Sequence, residues 1–319
     1  MSLKLRLLLW YVNTFKKTDL TVPPAEMRKE NARLLGRFQK IIDYAPIELD
    51  EIRDEQVPVR DGEQIRIRIY RPSEKQDLPL IVFYHGGGFV LRSIESHDLI
   101  CRRLARDNQA VVVSVDYRMA PEHKFPGPHQ DCYDATAWIA KHAAQFGANA
   151  DDLTVMGDSA GGNLATVVSI LARDLGGPDI KRQVLIYPCT DARLQHPSID
   201  TFAEGYFLTR PLMQWFVDHY KSSEADVLNP LMSPFLTEDL SNLPPVFICT
   251  AALDPLKDEG AAYAKRLEEA GNQVNFKEYP NVIHGFFNMP RISKETLEAH
   301  GDVQEFFKQN LKMSTAAKA

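Results

Sequence analysis

Six residues, Gly157-Asp158-Ser159-Ala160-Gly161-Gly162, set a serine between glycines two positions away on either side. They follow the apolar run 153–156 and open the helical pattern of 160–175. A strand-to-helix turn this tight forces the serine into unfavourable backbone angles and leaves no room for side chains beside it. The serine Oγ then stands clear of the sheet, at a helix N-terminus whose amides favour developing negative charge. The plainer alternative is a glycine-rich helix start with the serine as its cap. A phosphate loop does not fit, because no GxxxxGKS/T pattern is present.

Three more signals lie at the ends of other apolar runs. His85-Gly86-Gly87-Gly88-Phe89 follows 80–84, and such glycines can turn backbone N–H groups toward a bound carbonyl oxygen. A flexible loop would explain the glycines, but not their place upstream of the serine. His284, in Asn281-Val282-Ile283-His284-Gly285-Phe286, supplies a base in the loop after the strand 274–279. Asp254 follows 246–250 and supplies an acid, although Asp254-Pro255 alone reads as a helix cap with proline at the first helical position. Asp258 and Glu259 compete for the acid role, but the pattern puts them inside the helix that follows. The order glycine loop, Ser, Asp, His, each just after a strand, is that of a nucleophile–base–acid set on an open α/β sheet. Asp158 is too close in sequence to the nucleophile to be the acid and reads as a supporting group. Asp116-Tyr117-Arg118 reads as a structural corner. His97, His123 and His129 have no metal-ligand spacing.

The elements that must position these groups follow from periodicity. Residues 1–50 read as helix with a break near Pro23-Pro24. Asp61-Gly62 is a hairpin turn signal, and Ile65, Ile67 and Ile69 alternate with Arg66, Arg68 and Tyr70 as in a half-buried strand. The runs 80–84, 111–115, 153–156, 183–187 and 246–250 are nearly all apolar, as in parallel strands covered on both faces. Helical stretches lie between most of them: 96–107, 131–146, 160–175 and 256–270. A last helix covers 295–310, and 313–319 reads as a frayed tail. About eight strands with βαβ alternation predict a doubly wound, mostly parallel α/β sheet. Residues 191–231 break the alternation with turn chemistry and a helix near 211–221. With residues 1–50 they form a candidate helical cap over core segments 51–190 and 232–312.

Composition bounds the partners. The 319 residues carry 37 Lys+Arg against 43 Asp+Glu, a net charge of −6, which argues against a broad nucleic-acid face. The 17 Gly and 20 Pro show no short period, so fibrous readings fall away. Cys101, Cys132, Cys189 and Cys249 form no CxxC pair, which suits a reduced, cytoplasmic setting. No apolar run reaches the ~20 residues of a spanning helix. The start, Leu3-Lys4-Leu5-Arg6 leading into 7–12, has too short an apolar run for a signal peptide, and Lys16-Lys17 stand where a cleavage site should be. It reads as an amphipathic helix that packs on the body or touches a membrane surface.

Taken with Glu95-Ser96-His97-Asp98, Asp116 to Glu122, Asp254 to Gly260 and His284-Gly285-Phe286, the motifs resemble the hormone-sensitive-lipase-like, bacterial family IV esterases of the α/β-hydrolase superfamily. The resemblance runs from about Val57 to the last helix. It implies the α/β-hydrolase fold and hydrolysis of short- to medium-chain acyl esters by Ser159, His284 and Asp254. It also implies an oxyanion hole from the amides of Gly86, Gly87 and Ala160, and no metal or cofactor. Gly88, Phe89, Asp158, Phe207, Leu208, Leu212 and Trp215 are candidate substrate-contact residues. Family members often dimerise, so a homodimer is an expectation of the same kind. Amide or lactone hydrolysis with the same groups remains open, as does a non-catalytic small-molecule-binding relative.

Overall fold

The computed structural model describes residues 1–15 and 18–316, with the backbone alone from residue 310 onward. The described residues form eight strands: β1 (Glu51–Pro58), β2 (Gln64–Arg71), β3 (Leu78–Tyr84), β4 (Val111–Val115), β5 (Ala148–Asp158), β6 (Arg182–Ile186), β7 (Val246–Leu253) and β8 (Val274–Ile283). They form one sheet in the order β1-β2-β4-β3-β5-β6-β7-β8. β1 pairs antiparallel with β2, and β2 with β4. The other pairings are parallel. The helices are α1 (Leu3–Phe15), α2 (Pro24–Ile42), α3 (Ile94–Asn108), α4 (Gly127–His142), α5 (Ala160–Leu175), α6 (Pro197–Thr201), α7 (Arg210–Tyr220), α8 (Lys257–Glu269) and α9 (Lys294–Ala316).

The continuous apolar runs have the cause expected of them. In β3, Leu80, Val82 and Tyr84 join the core formed with Ile139 of α4, Leu164 and Val168 of α5 and Leu267 of α8. Ile81 and Phe83 turn the other way, toward Ile100 and Leu104 of α3 and Val303 and Phe306 of α9. Successive residues of a strand face opposite ways, so a sheet covered on both faces needs apolar residues at every position.

The pattern hid one edge strand. In β1 only Val57 is buried. One of its cross-strand pairs is ionic: Asp54 lies opposite Arg68 and takes both Nε and Nη2 of it, at 2.6 and 2.9 Å. Ile52 and Val57 are its only large apolar residues and stand five positions apart, so the strand carries no hydrophobic period and periodicity alone does not find it. The Asp61-Gly62 turn does join β1 to β2, with Gly62 at φ +87°. The long helical reading of residues 1–50 ends earlier, at Ile42. α9 continues through Ala316, beyond the expected start of the tail at Met313. Lys16, Lys17 and residues 317–319 lie outside the described residues.

Three strands run further than their apolar cores suggest. β5 ends at Asp158, β7 at Leu253 and β8 at Ile283. Ser159, Asp254 and His284 are therefore each the first residue beyond a strand, and the His85–Phe89 loop begins directly after β3. All four lie at the carboxyl ends of parallel neighbours.

Candidate active site

Ser159 sits at φ 57° and ψ −118°, a strained conformation for a residue with a Cβ. The turn is possible because its neighbours lack side chains. A Cβ on Gly161 would lie 1.9 Å from the Tyr84 carbonyl oxygen, and one on Gly157 would lie 2.2 Å from the Gly161 oxygen. Ser159 stands at the N-cap position of α5 but makes no side-chain cap bond. The capping alternative therefore fails. Its hydroxyl instead lies 2.9 Å from His284 Nε2.

The imidazole is held from behind. Its Nδ1–H donates to Asp254 Oδ2 at 2.7 Å. That bond fixes the tautomer with the Nε2 lone pair facing the serine hydroxyl. Asp254 is fully buried, and its other oxygen accepts the Leu256 amide at 2.9 Å. α8 begins only at Lys257, with Leu256 as its cap, so Asp254 is not the helix cap of the alternative reading. The competing acids point elsewhere. Asp258 accepts the Ser198 amide and the Lys257 ammonium. Glu259 accepts the amides of Thr190 and Asp191, and burial pushes its carboxyl well above the ordinary range.

The glycine loop corrects one expectation. Gly86 cannot serve as an oxyanion donor, because its amide donates to Asp158 Oδ1 at 2.9 Å. The amides of Gly87 and Gly88 have no acceptor among the described residues, and Ala160 opens α5, where amides have no intrahelical partner. Gly87 (φ +125°) and Gly88 (φ +62°) both need glycine's freedom. A Cβ on Gly87 would lie 2.0 Å from the Leu91 oxygen. Asp158 is thus the buckle of this loop: besides the Gly86 amide it takes His97 Nε2 at 3.1 Å. Burial works against ionisation of Asp158, but His97 and the amide outweigh it and hold the carboxyl below its usual range.

A second buried chain ties α7 to the nucleophile helix. The Asn163 amide nitrogen donates to the carbonyls of Cys189 and Met232, which turns its oxygen toward His129. His129 Nε2–H donates to that oxygen at 2.8 Å, and its Nδ1 accepts the Tyr220 hydroxyl at 2.7 Å. This arrangement needs a neutral ring, and burial lowers the His129 pKa to about 4. His300, buried and close to Arg103, is also lowered to about 4. The unfolded chain, with histidines near 6.5, takes up these protons first. Stability is therefore full above about pH 6.5 and is lost as pH falls toward 4, by on the order of 3 kcal/mol for each histidine. Thermal melts from pH 7 to 4.5 should show a steep fall in Tm, and His129→Gln should show a shallower one. Equal slopes would contradict the assignment of His129.

The chain matches the family described as alpha/beta hydrolase fold over residues 81–288. It is 44% identical to a carboxylic ester hydrolase of Mycobacterium tuberculosis over 245 residues, which is 75% of this chain and 65% of that protein. It is 39% identical to an ethyl acetate hydrolase of Pseudomonas putida over 272 residues, covering 83% of this chain and 84% of the other. The solved structure of a hyperthermophilic esterase from Pyrobaculum calidifontis superposes with a TM-score of 0.90 at 41% identity, covering 97% and 98% of the two chains. The chain belongs to the α/β-hydrolase fold family. Within it, the chain falls in the hormone-sensitive-lipase-like branch.

In this hydrolase the other expected contact residues divide. Phe207 lies near Gly285, where an added Cβ would be 3.9 Å from its ring, and it packs with Ile283 beside His284. Leu208 is buried with Leu256, two residues beyond Asp254. Leu212 bridges that cluster and the main core. Phe89 and Trp215 have packing partners on and around α7. Phe89 is buried and stacks on Tyr220 at 4.0 Å, and Trp215 is buried with its indole N–H on the Leu20 carbonyl at 3.1 Å. Both pack the α7 helix against the body. Phe216 was missed. Its ring covers Gly88 so closely that a Cβ there would lie 2.3 Å from it. Leu212, Trp215 and Phe216 share the helical spacing of α7, and only the fold tells which side faces the loop.

Proposed function

We propose that the chain is a serine carboxylesterase acting on short- to medium-chain acyl esters through Ser159, His284 and Asp254. The supporting observation is the continuous Ser159–His284–Asp254 hydrogen-bond chain, 2.9 and 2.7 Å long, beside the unpaired amides of Gly87, Gly88 and Ala160. Ser159 Oγ attacks the ester carbonyl carbon as His284 Nε2 takes the hydroxyl proton. The carbonyl oxygen becomes an oxyanion held by the three amides, each worth up to about 3–4 kcal/mol by comparison with measured donors. His284 passes the proton to the leaving alkoxide, and the acyl group stays on Ser159. Water then attacks the acyl carbon, giving its proton to His284, which returns it to Ser159 as the carboxylic acid leaves. Asp254 steadies the imidazolium throughout. Ser159, His284 and water account for every proton and electron pair in these steps.

Residues 1–50 and 191–231 act together as a cap. The Trp215–Leu20 bond and the Arg28 guanidinium on the carbonyls of Val90 and Ala120 link these segments to the glycine-loop region. Phe207, Leu212 and Phe216 give that side an apolar wall suited to acyl chains. Four free cysteines, three of them buried, support a cytoplasmic setting. Initial rates on p-nitrophenyl esters of increasing acyl length test the substrate class. Turnover should peak among the short chains and fall steeply for the long ones. Turnover confined to amides or lactones would overturn the reading.

A further inference from the structure

We propose that the outer face of α1 docks on an anionic lipid surface. The inner face of the helix is already in use: Leu5 and Leu9 are buried against Ile42, Ile283, Met289 and Ile292. On the opposite side Leu3, Leu7, Trp10 and Phe15 are 71%, 56%, 60% and 60% exposed, and Tyr11 is also exposed. Positions 3, 7, 10 and 11 repeat at the helical period, so these side chains form one stripe. Large apolar residues in a row on a surface are costly unless something covers them. Tryptophan and tyrosine are the side chains that suit the boundary between water and lipid headgroups.

Charge decides what the cover is. The first eighteen residues hold Lys4, Arg6, Lys16 and Lys17 and no acid, whereas the rest of the chain carries ten more acids than bases. Lys4, whose ammonium also donates to the Arg291 carbonyl at 3.0 Å, and Arg6 are exposed and flank the stripe on either side. A basic rim around an apolar stripe is complementary to anionic headgroups above acyl chains. A second copy fits less well, because a two-fold contact sets the patch, and its basic rim, against itself. No helix among the described residues is long and apolar enough to cross a membrane, so the contact is one of lying on the surface.

The full-length protein is mixed with phosphatidylcholine vesicles, with or without phosphatidylglycerol, at low and at high salt, and the vesicles are pelleted. Binding to the anionic vesicles should exceed binding to the neutral ones by at least about tenfold and should weaken with salt. Leu7→Glu with Trp10→Glu should abolish it, and Lys4→Glu with Arg6→Glu should weaken it. Because Leu7 and Trp10 point away from the body, Tm and p-nitrophenyl acetate turnover of the Leu7→Glu/Trp10→Glu pair should not change. No pelleting of the wild type, or equal pelleting of wild type and Leu7→Glu/Trp10→Glu, would overturn the proposal. So would a dimer that the same pair dissolves in the absence of vesicle binding, which would assign the face to a second copy.

Discussion

Ser159→Ala should lower kcat/KM for p-nitrophenyl acetate by about 10⁵-fold and leave Tm within a few degrees of the wild type. The size of the loss follows from the chemistry: without Oγ there is no acyl-enzyme, and only the amides and substrate binding remain. The fold should be indifferent, because Oγ bonds only to His284 and makes no cap bond to α5. Alanine, like serine, carries one Cβ into the strained position at φ 57°, so no new strain is added. Steady-state rates beside a thermal melt separate lost chemistry from lost structure. Activity within a factor of about 100 of the wild type would remove Ser159 as the nucleophile.

Asp254→Asn should cost about 10⁴-fold in kcat with KM nearly unchanged. The asparagine oxygen can still accept the Leu256 amide, so the strand end should keep its shape. Its NH₂ group, however, would face His284 Nδ1 as a donor. The imidazole then moves its proton to Nε2, where it meets the Ser159 hydroxyl as a donor instead of a base. Asp258→Asn is the matched control. Its carboxylate accepts from Ser198 and Lys257 rather than from His284, so its kcat should stay within about threefold of the wild type. Similar losses in both variants would mean that Asp254 is not the specific partner of His284.

Much of this site could be read from the sequence because the fold writes it in local patterns. Ser159, Asp254 and His284 each follow an apolar run, and the helical span 160–175 matches α5 end to end. The glycines around Ser159 have local causes, namely contacts at 1.9 and 2.2 Å that forbid a Cβ. What escaped depends on partners far along the chain. Gly86, Gly87 and Gly88 look alike in sequence. Only the carboxylate of Asp158, 72 residues away, takes the first amide out of use and leaves the other two free. The contacts of Phe89 with Tyr220 and of Trp215 with Leu20 likewise join residues far apart in the chain. His97, His129 and Asn163 belong to buried chains with no spacing rule, though His97 lies in the Glu95–Asp98 motif. β1 went unseen because its mostly polar residues carry no hydrophobic period.

The most direct test of the account is covalent trapping. The wild type and Ser159→Ala are treated with a p-nitrophenyl alkylphosphonate, and intact and peptide masses are measured. The wild type should gain one phosphonyl group, carried on the peptide that contains Ser159, with loss of activity in step with labelling. Ser159→Ala should stay unlabelled. A stoichiometric adduct on another residue, or full inactivation with Ser159 unmodified, would contradict the assignment of the nucleophile.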